Sequence, residues 1–327
     1  MEYILIYLNK NKMATTTNIT TTYAGEDAFD YVAAAVRNSP TISNGGITID
    51  PNIKFRKTLR PANLQDIISD ATCDFTATGS VTTLERVLEP KELQVNQIFC
   101  KDDFRDTWDA LEMGFSAHDV LPKTFSDFII AEYIARVAEA NELAIWGGVD
   151  GAGQYDGFTT LIAADADLPA SQEIGSTSVD ASNVIDEMAK VYNAIPDRLF
   201  GKEDLHIYVS SKIFRAYKLA LGGFAAGGVG ANGVNGQGTN QDINIETFSG
   251  VKVFMTQGLI GDQMIATRKQ NLHFGTGLLS DHNEVKVLDM ADLDGSQNVR
   301  FVMRYTAGVQ YEFAQDFVTY GITNSAN

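Results

Sequence analysis

The glycines Gly228, Gly230 and Gly233 of "GVGANG" fall at the G-x-G-x-x-G spacing that cradles a pyrophosphate. The first chemistry the sequence offers is therefore dinucleotide binding by an oxidoreductase. That chemistry needs a strand directly before the first glycine, a helix opening at the third, and an acid about 20 residues further on. Here the helix-patterned "SKIFRAYKLAL" precedes the tract, and the following "VNGQGTNQDINIETFSG" has neither a helical stripe nor a cap. Residues 222–240 are so dense in glycine that a match to any glycine spacing carries little weight. The tract reads as a loop that something outside the fold must order.

The remaining chemical candidates are scattered. His118, His206, His273 and His282 lack a second His, Cys or paired carboxylate at ligand spacing, so no metal site is expected. Cys73 and Cys100 lie 27 positions apart, which is neither a disulfide framework nor a zinc spacing, and they read as reduced thiols. "DLDG" at 292–295 lacks the later ligands of a calcium loop and reads as a turn. Met255, Met264 and Met303 read as core fillers. No G-x-S-x-G elbow or P-loop lysine is present. No catalytic, cofactor-binding or metal-binding residue is expected, and no cofactor.

The elements that would have to position such residues point elsewhere. The 327 residues suffice for one large or two modest domains, and 44% hydrophobic with 20% charged residues is the composition of a globular protein. No apolar run approaches the roughly 18–20 residues needed to cross a bilayer, so no membrane is expected. The opening "MEYILIYLNKNK" places its lysines after a short apolar run, unlike a signal peptide, and a start at Met13 would give a small, polar beginning. The net charge of −17 argues against wrapping nucleic acid with the average surface. Only "PNIKFRKTLRPANLQ" opposes the trend, with Lys54, Arg56, Lys57 and Arg60 and no acid. That run fits a solvated basic strand or a contact with phosphates or a neighbour's acids.

Residues 13–50, rich in Thr, Ser, Asn and Gly around one helical patch, read as an extended arm. From 51 to 100 the residues alternate β-formers and turns without a helical stripe, a long excursion suited to pairing with another chain. "TFSDFIIAEYIARVAEANELAIWGG" predicts a helix of about 23 residues and roughly 35 Å. Its buried stripe is Ile130, Ile134, Val137 and Ala138, Glu132 pairs with Arg136, and Gly147-Gly148 stops it. Further on come helix "NVIDEMAKVYNAI", strand "DLHIYVS", helix "SKIFRAYKLAL" and strands "VKVFMTQ", "DQMIATR" and "NLHFGTG". From Val299 to Phe313 every odd position is apolar or aromatic, which predicts a strand near 50 Å long with Gly308 at a bend or hairpin. Arm, long loop, spanning helix and long strand are surfaces suited to sharing between chains.

In this order the residues resemble the major capsid proteins of tailed bacteriophages, the shell fold shared with encapsulins and the floor of herpesvirus capsids. "ANELAIWGGVDGAGQYDGFTTLI" resembles the end of that family's long spine helix and the glycine-rich turn after it, with Gly153, Gln154, Gly157 and Phe158 in place. Tyr155 stands where the family usually has proline. A helix ending in Ala194-Ile195-Pro196, the strand–helix "LHIYVSSKIFRAYKLAL", "TFSGVKVFMTQGL", "NLHFGTGLLSDHNEVKVLD" with Gly275 and Asp281 at its turns, and the closing "VRFVMRYTAGVQYEFAQDFVTYGI" follow in sequence. The resemblance covers 51–323.

The resemblance implies an α+β fold with an N-terminal arm at 1–50 and an extended β-loop at 51–101. A peripheral domain would comprise 102–180 and 284–312, and an axial domain 181–283 and 313–327, with the glycine tract at a subunit junction. The implied function is a major capsid protein, a structural subunit and not an enzyme, that self-assembles into hexamers and pentamers of an icosahedral phage head around double-stranded DNA. Implied partners are further copies, separate scaffolding and portal proteins, and DNA held by weak non-specific contact. The implied location is the virion, with host cytoplasm during assembly. Self-cross-linking members of the family need a lysine, an asparagine and a glutamate that meet between subunits. Lys91 lies in the expected loop, but no partners match it, so no catalytic residue is carried over. An encapsulin-like compartment shell is the nearest alternative, and a nucleotide-dependent oxidoreductase the remaining one.

Overall fold

The structure, a computed structural model, describes residues 19–24, 39–53, 55–65, 68–71, 73, 79–100, 123–151, 153–221, 247–277 and 284–326. At 19–24, 63–65, 81–82, 123–129, 284 and 292 only the backbone is described. The chain runs through β1 (Ile19–Ala24), α1 (Pro40–Ser43), β2 (Thr48–Asp50), β3 (Lys57–Leu59), β4 (Ala62–Gln65), β5 (Ser80–Thr83), β6 (Arg86–Leu88) and β7 (Lys91–Cys100). Next come α2 (Lys123–Gly147), α3 (Phe158–Ala163), β8 (Glu173–Ile174), α4 (Val184–Asn193), β9 (Leu205–Ser210) and α5 (Ser211–Ala220). The last part holds β10 (Thr247–Phe248), β11 (Val251–Thr256), β12 (Met264–Arg268), β13 (Leu272–Thr276), β14 (Glu284–Asp289), α6 (Ala291–Asp294), β15 (Asn298–Tyr311) and β16 (Val318–Tyr320).

The period-two alternation at the chain's end forms β15, and its odd positions from Val299 to Tyr311 are buried. β15 is the spine of a six-stranded sheet, β1-β14-β15-β13-β2, with β7 on it as well. β7 pairs antiparallel with it from Asn298↔Cys100 to Ala307↔Lys91. Gly308 makes neither bend nor hairpin, because the strand is continuous through it. Its missing side chain makes room for the adjoining backbone, since a Cβ there would sit 3.0 Å from Pro90 Cα.

α2 begins one residue before the expected Thr124 and ends at Gly147. Ile130, Ile134, Val137 and Ala138 are buried as the stripe requires, and Glu132 meets Arg136 at 3.4 Å. Tyr133 stacks on Phe301 of β15 with centroids 4.4 Å apart, so helix and long strand share one core. Gly157 cannot carry a side chain, because a Cβ would lie 2.6 Å from the carbonyl oxygens of Ala144 and Trp146.

A second six-stranded sheet runs β10-β11-β9-β12-β16-β8. β9 is buried along its whole length, as a strand covered on both faces must be. Tyr208 turns toward Trp146 and the core under α2, whereas Ile207 and Val209 join Met188, Val191 and Ile213 of α4 and α5. The pairs β3–β6 and β4–β5 form a separate two-stranded projection between β2 and β7.

Two stretches of the expected extended arm, 13–50, take part in the first sheet: β1 pairs with β14, and β2 pairs with β13. Likewise β7, inside the expected extended loop, is a full member of the first sheet. The helical patch at 26–38, Met13 and the glycine tract 222–240 lie outside the described residues.

Candidate functional site

Among the described residues, polar side chains converge at several places. The deepest joins α1 to α2. Asn141 and Glu142 lie three and four residues beyond Ala138, on the stripe that buries α2, and both are almost wholly enclosed. Glu142 accepts from the backbone N–H of Thr41 at 3.0 Å, from the Thr41 hydroxyl at 2.5 Å, and from the backbone N–H groups of Gln257 and Gly258. Trp146 Nε1 donates to Thr41 Oγ1 at 2.9 Å, and Tyr155 donates its hydroxyl to Asn141 Oδ1 at 2.8 Å. Burial pushes the Glu142 carboxyl above its usual value, and the four donors oppose that rise. A carboxylate beside a hydroxyl could do acid–base chemistry, but this pair faces packed side chains. The joint fastens residues 39–46 to the long helix.

A second convergence sits on β13. His273 Nδ1 lies 2.8 Å from Asp50 Oδ2, and Nε2 lies 3.2 Å from Glu312 Oε1. Lys57 Nζ reaches the other oxygen of Asp50 at 2.5 Å. Both ring nitrogens are thus engaged by carboxylates, and neither is left to activate a nucleophile.

The third is the base of the projection. The Arg86 guanidinium meets Asp165 Oδ2 at 2.6 Å and lies 4.6 Å over the Tyr311 ring, while the Tyr311 hydroxyl donates to Asp165. Burial acts to raise the Asp165 carboxyl, but the Tyr311 hydroxyl, the Asp167 backbone N–H and Arg86 outweigh it and hold it below the usual value. Lys91, the loop lysine to which no cross-linking role was carried over, donates to Asp150 and to the Gln154 carbonyl. Of the basic run, Lys57 pairs with Asp50 and Arg60 with Glu85; Lys54 lies outside the described residues.

The fourth is a cleft of 670 Å³ between the turn after α1 and the second sheet, lined by Asn44, His206, Lys252, Phe254 and Lys269 among others. His206 Nδ1 meets the Asp204 carbonyl at 2.8 Å, and burial moves the imidazole below its ordinary value. Among the described residues its lining comes from strands, turns and Phe214 in the middle of α5.

The remaining candidates stay apart. Cys73 and Cys100 are free, Met264 and Met303 are core residues, and "DLDG" is a short helical turn closed by left-handed Gly295. His118, His282 and the glycines Gly228, Gly230 and Gly233 lie outside the described residues. Among the described residues no group of His, Cys, Asp and Glu could hold a metal ion, and no helix is long and apolar enough to cross a membrane. Sequence reasoning missed the joint at Glu142. Its available signal was a polar pair, Asn141-Glu142, at the buried spacing of an otherwise apolar helix face.

Apolar side chains left in solvent mark surfaces. Phe55 is 77% and Ile68 is 91% exposed on the projection, and Ile98 is 56% exposed on β7.

No protein-family model matches the sequence, and no curated protein does. Solved structures match with the whole fold. "Capsid of native GTA particle computed with C5 symmetry" superposes with a TM-score of 0.56 at 14% identity, over 89% of this chain and 90% of that chain. "Satellite phage P4 procapsid including size determination (Sid) protein" gives 0.53 at 10% identity, over 90% and 99%. "The capsid of Myoviridae Phage XM1" gives 0.52 at 12% identity, over 86% and 91%. The chain has the α+β fold of these phage capsid chains.

Proposed function

We propose that this chain is the major capsid protein of a tailed phage, the structural subunit of an icosahedral head built from hexamers and pentamers around double-stranded DNA. The observation that carries this reading is fold likeness over nearly the full length of both partners, with little left over on either side. The polar groups at Glu142, His273 and Arg86 support it, since each of these three convergences ties distant chain segments together.

On this reading the first sheet with α2 and α3 is the peripheral domain, and the second sheet with α4 and α5 is the axial domain. β13 hydrogen-bonds into the first sheet, so the boundary proposed between them falls before Leu272 and not near residue 283. The projection 55–88 is the extended loop, and the residues before Ser39 are the arm. Separate scaffolding and portal proteins are proposed partners, with the virion as the location.

The test is to express the full chain, alone and with co-expressed scaffold, and to image the particles. Closed shells with five- and six-fold capsomers are expected, and DNA content and one portal vertex distinguish a phage head from a compartment that packages protein. A chain that stays monomeric in every condition would contradict the proposal.

A further inference from the structure

Charge is segregated along the middle of the chain. Residues 137–189 contain no Lys or Arg, and residues 205–241 contain no Asp or Glu. Helix α4, which begins in the first stretch, and α5, in the second, lie side by side on one face of the second sheet, each toward a different edge. α5 covers β9 and β11, next to the edge strand β10, whereas α4 covers β12 and β16, next to the edge strand β8.

The exposed face of α5 carries Arg215 and Lys218. Arg215 donates to the carbonyl of Ser211, and Lys218 lies 4.8 Å over the Phe214 ring; neither has a carboxylate partner among the described residues. The helix's other cation, Lys212, is already held by Asp262 at 2.6 Å. On α4 the reverse holds. Lys190 is held by Glu187 at 2.8 Å and also feels the charge of Asp186, so two carboxylates face one ammonium and the helix keeps a net negative charge, with Asp186 exposed. Each helix also leaves one large aliphatic side chain in solvent beside its charge: Leu219 and Ile185, each 44% exposed.

Resting on the shell reading, we infer that the α5 face of one copy docks against the α4 face of the next. The contact sets Arg215, Lys218 and Leu219 against Asp186 and Ile185. Two different patches, one toward each edge of one layer, give a head-to-tail contact, which closes into a ring when the rotation per copy fits. A self-complementary pairing is disfavoured, because it would set like charges face to face. The chain's net charge of −17 adds general repulsion between copies, so a basic helix is the natural place for that repulsion to be overcome.

The test uses charge reversals in the full chain, assayed by mass photometry and negative stain. Arg215→Glu with Lys218→Glu, and separately Asp186→Arg, should each lower the assembled fraction at least tenfold while leaving the melting curve of the subunit in place. Mixing the two variants should restore six-membered but not five-membered rings. Alternating copies present opposite charges at every contact, and an odd ring cannot alternate. Normal assembly of either variant alone, or no rescue on mixing, would overturn the contact. Normal shells from the α5 variant with reduced DNA retention would assign that face to nucleic acid and overturn it as well. Failure of the unaltered chain to assemble would instead contradict the shell reading.

Discussion

The first sheet and the projection that leaves it are built from the same kind of strand, but they are held in different ways. In the sheet, β15 buries alternate side chains against α2, and the bulk of its residues are enclosed. In the projection only Leu59 and Leu88 of β3 and β6 are buried, while Phe55 and Ile68 lie almost fully in water. A two-stranded ribbon without a covering layer is marginal alone. This one is held mainly near its base, by Arg86 on Asp165 and Tyr311, Lys57 on Asp50, and Gln310 Nε2 on the Val87 carbonyl. The sheet is stabilised by what it buries within the chain. The projection is oriented within the chain and completed, on the shell reading, by a neighbour.

The largest expected effect falls on the enclosed side of the comparison. Ile134→Asp would bury an unpaired carboxylate between α2 and the first sheet, at a cost on the order of 4–5 kcal/mol. Denaturant unfolding of the subunit should show loss of most of its stability, and a variant with wild-type stability would mean that α2 does not pack through this stripe.

This part of the molecule was also the part legible in sequence. Period two in β15 and the stripe of α2 are patterns in which each residue repeats the same message, so the elements came out within two residues of their observed ends. What was not legible depends on contacts between distant segments. β1 is a run of "ITTTYA" with little apolar contrast, and its place beside β14 follows from the sheet edge it finds. Gly308 reads as a bend until Pro90 is seen to pass beside it. Tyr155, read as a departure from a turn pattern, is fixed by Asn141, a residue 14 positions earlier. Glu142 and Arg86 meet Thr41 and Asp165 at separations of 101 and 79 positions in sequence, beyond the reach of any local pattern.

A smaller effect should follow at the base of the projection. Arg86→Ala removes the ion pair and the contact with Tyr311, so the projection should lose its fixed angle while the sheet keeps its core. Faster amide exchange at Val87 and Leu88, with a melting curve close to wild type, is the expected result. The effect also has a pH signature. Asp165 is held below its usual value in the fold, so its contribution is complete above the unfolded carboxylate value of about 3.9 and is lost as pH falls through the lower folded value. In the variant the folded value moves up toward the unfolded one, so the acid-dependent loss should be smaller and be complete at a higher pH. Unchanged exchange and an unchanged acid limb would show that the projection is held elsewhere.

The smallest effect on the isolated subunit, and the sharpest form of the comparison, comes from Phe55→Ser with Ile68→Ser. Both side chains are mostly in water, so replacing them removes little burial from the folded chain, and its stability should move by no more than about 0.5 kcal/mol. In an assembly the same two side chains are available apolar area, worth roughly 25 cal/mol for each Å² that a neighbour covers. Each capsomer contact repeats that loss, so small deficits multiply around a shell. The double variant should therefore melt like the wild type and yet require several-fold higher protein concentration to form particles, measured by light scattering. If assembly is unchanged, these exposed apolar side chains are not where a neighbour completes the projection. If instead the subunit itself is destabilised, Phe55 and Ile68 belong to the chain's own core, and the contrast between sheet and projection fails.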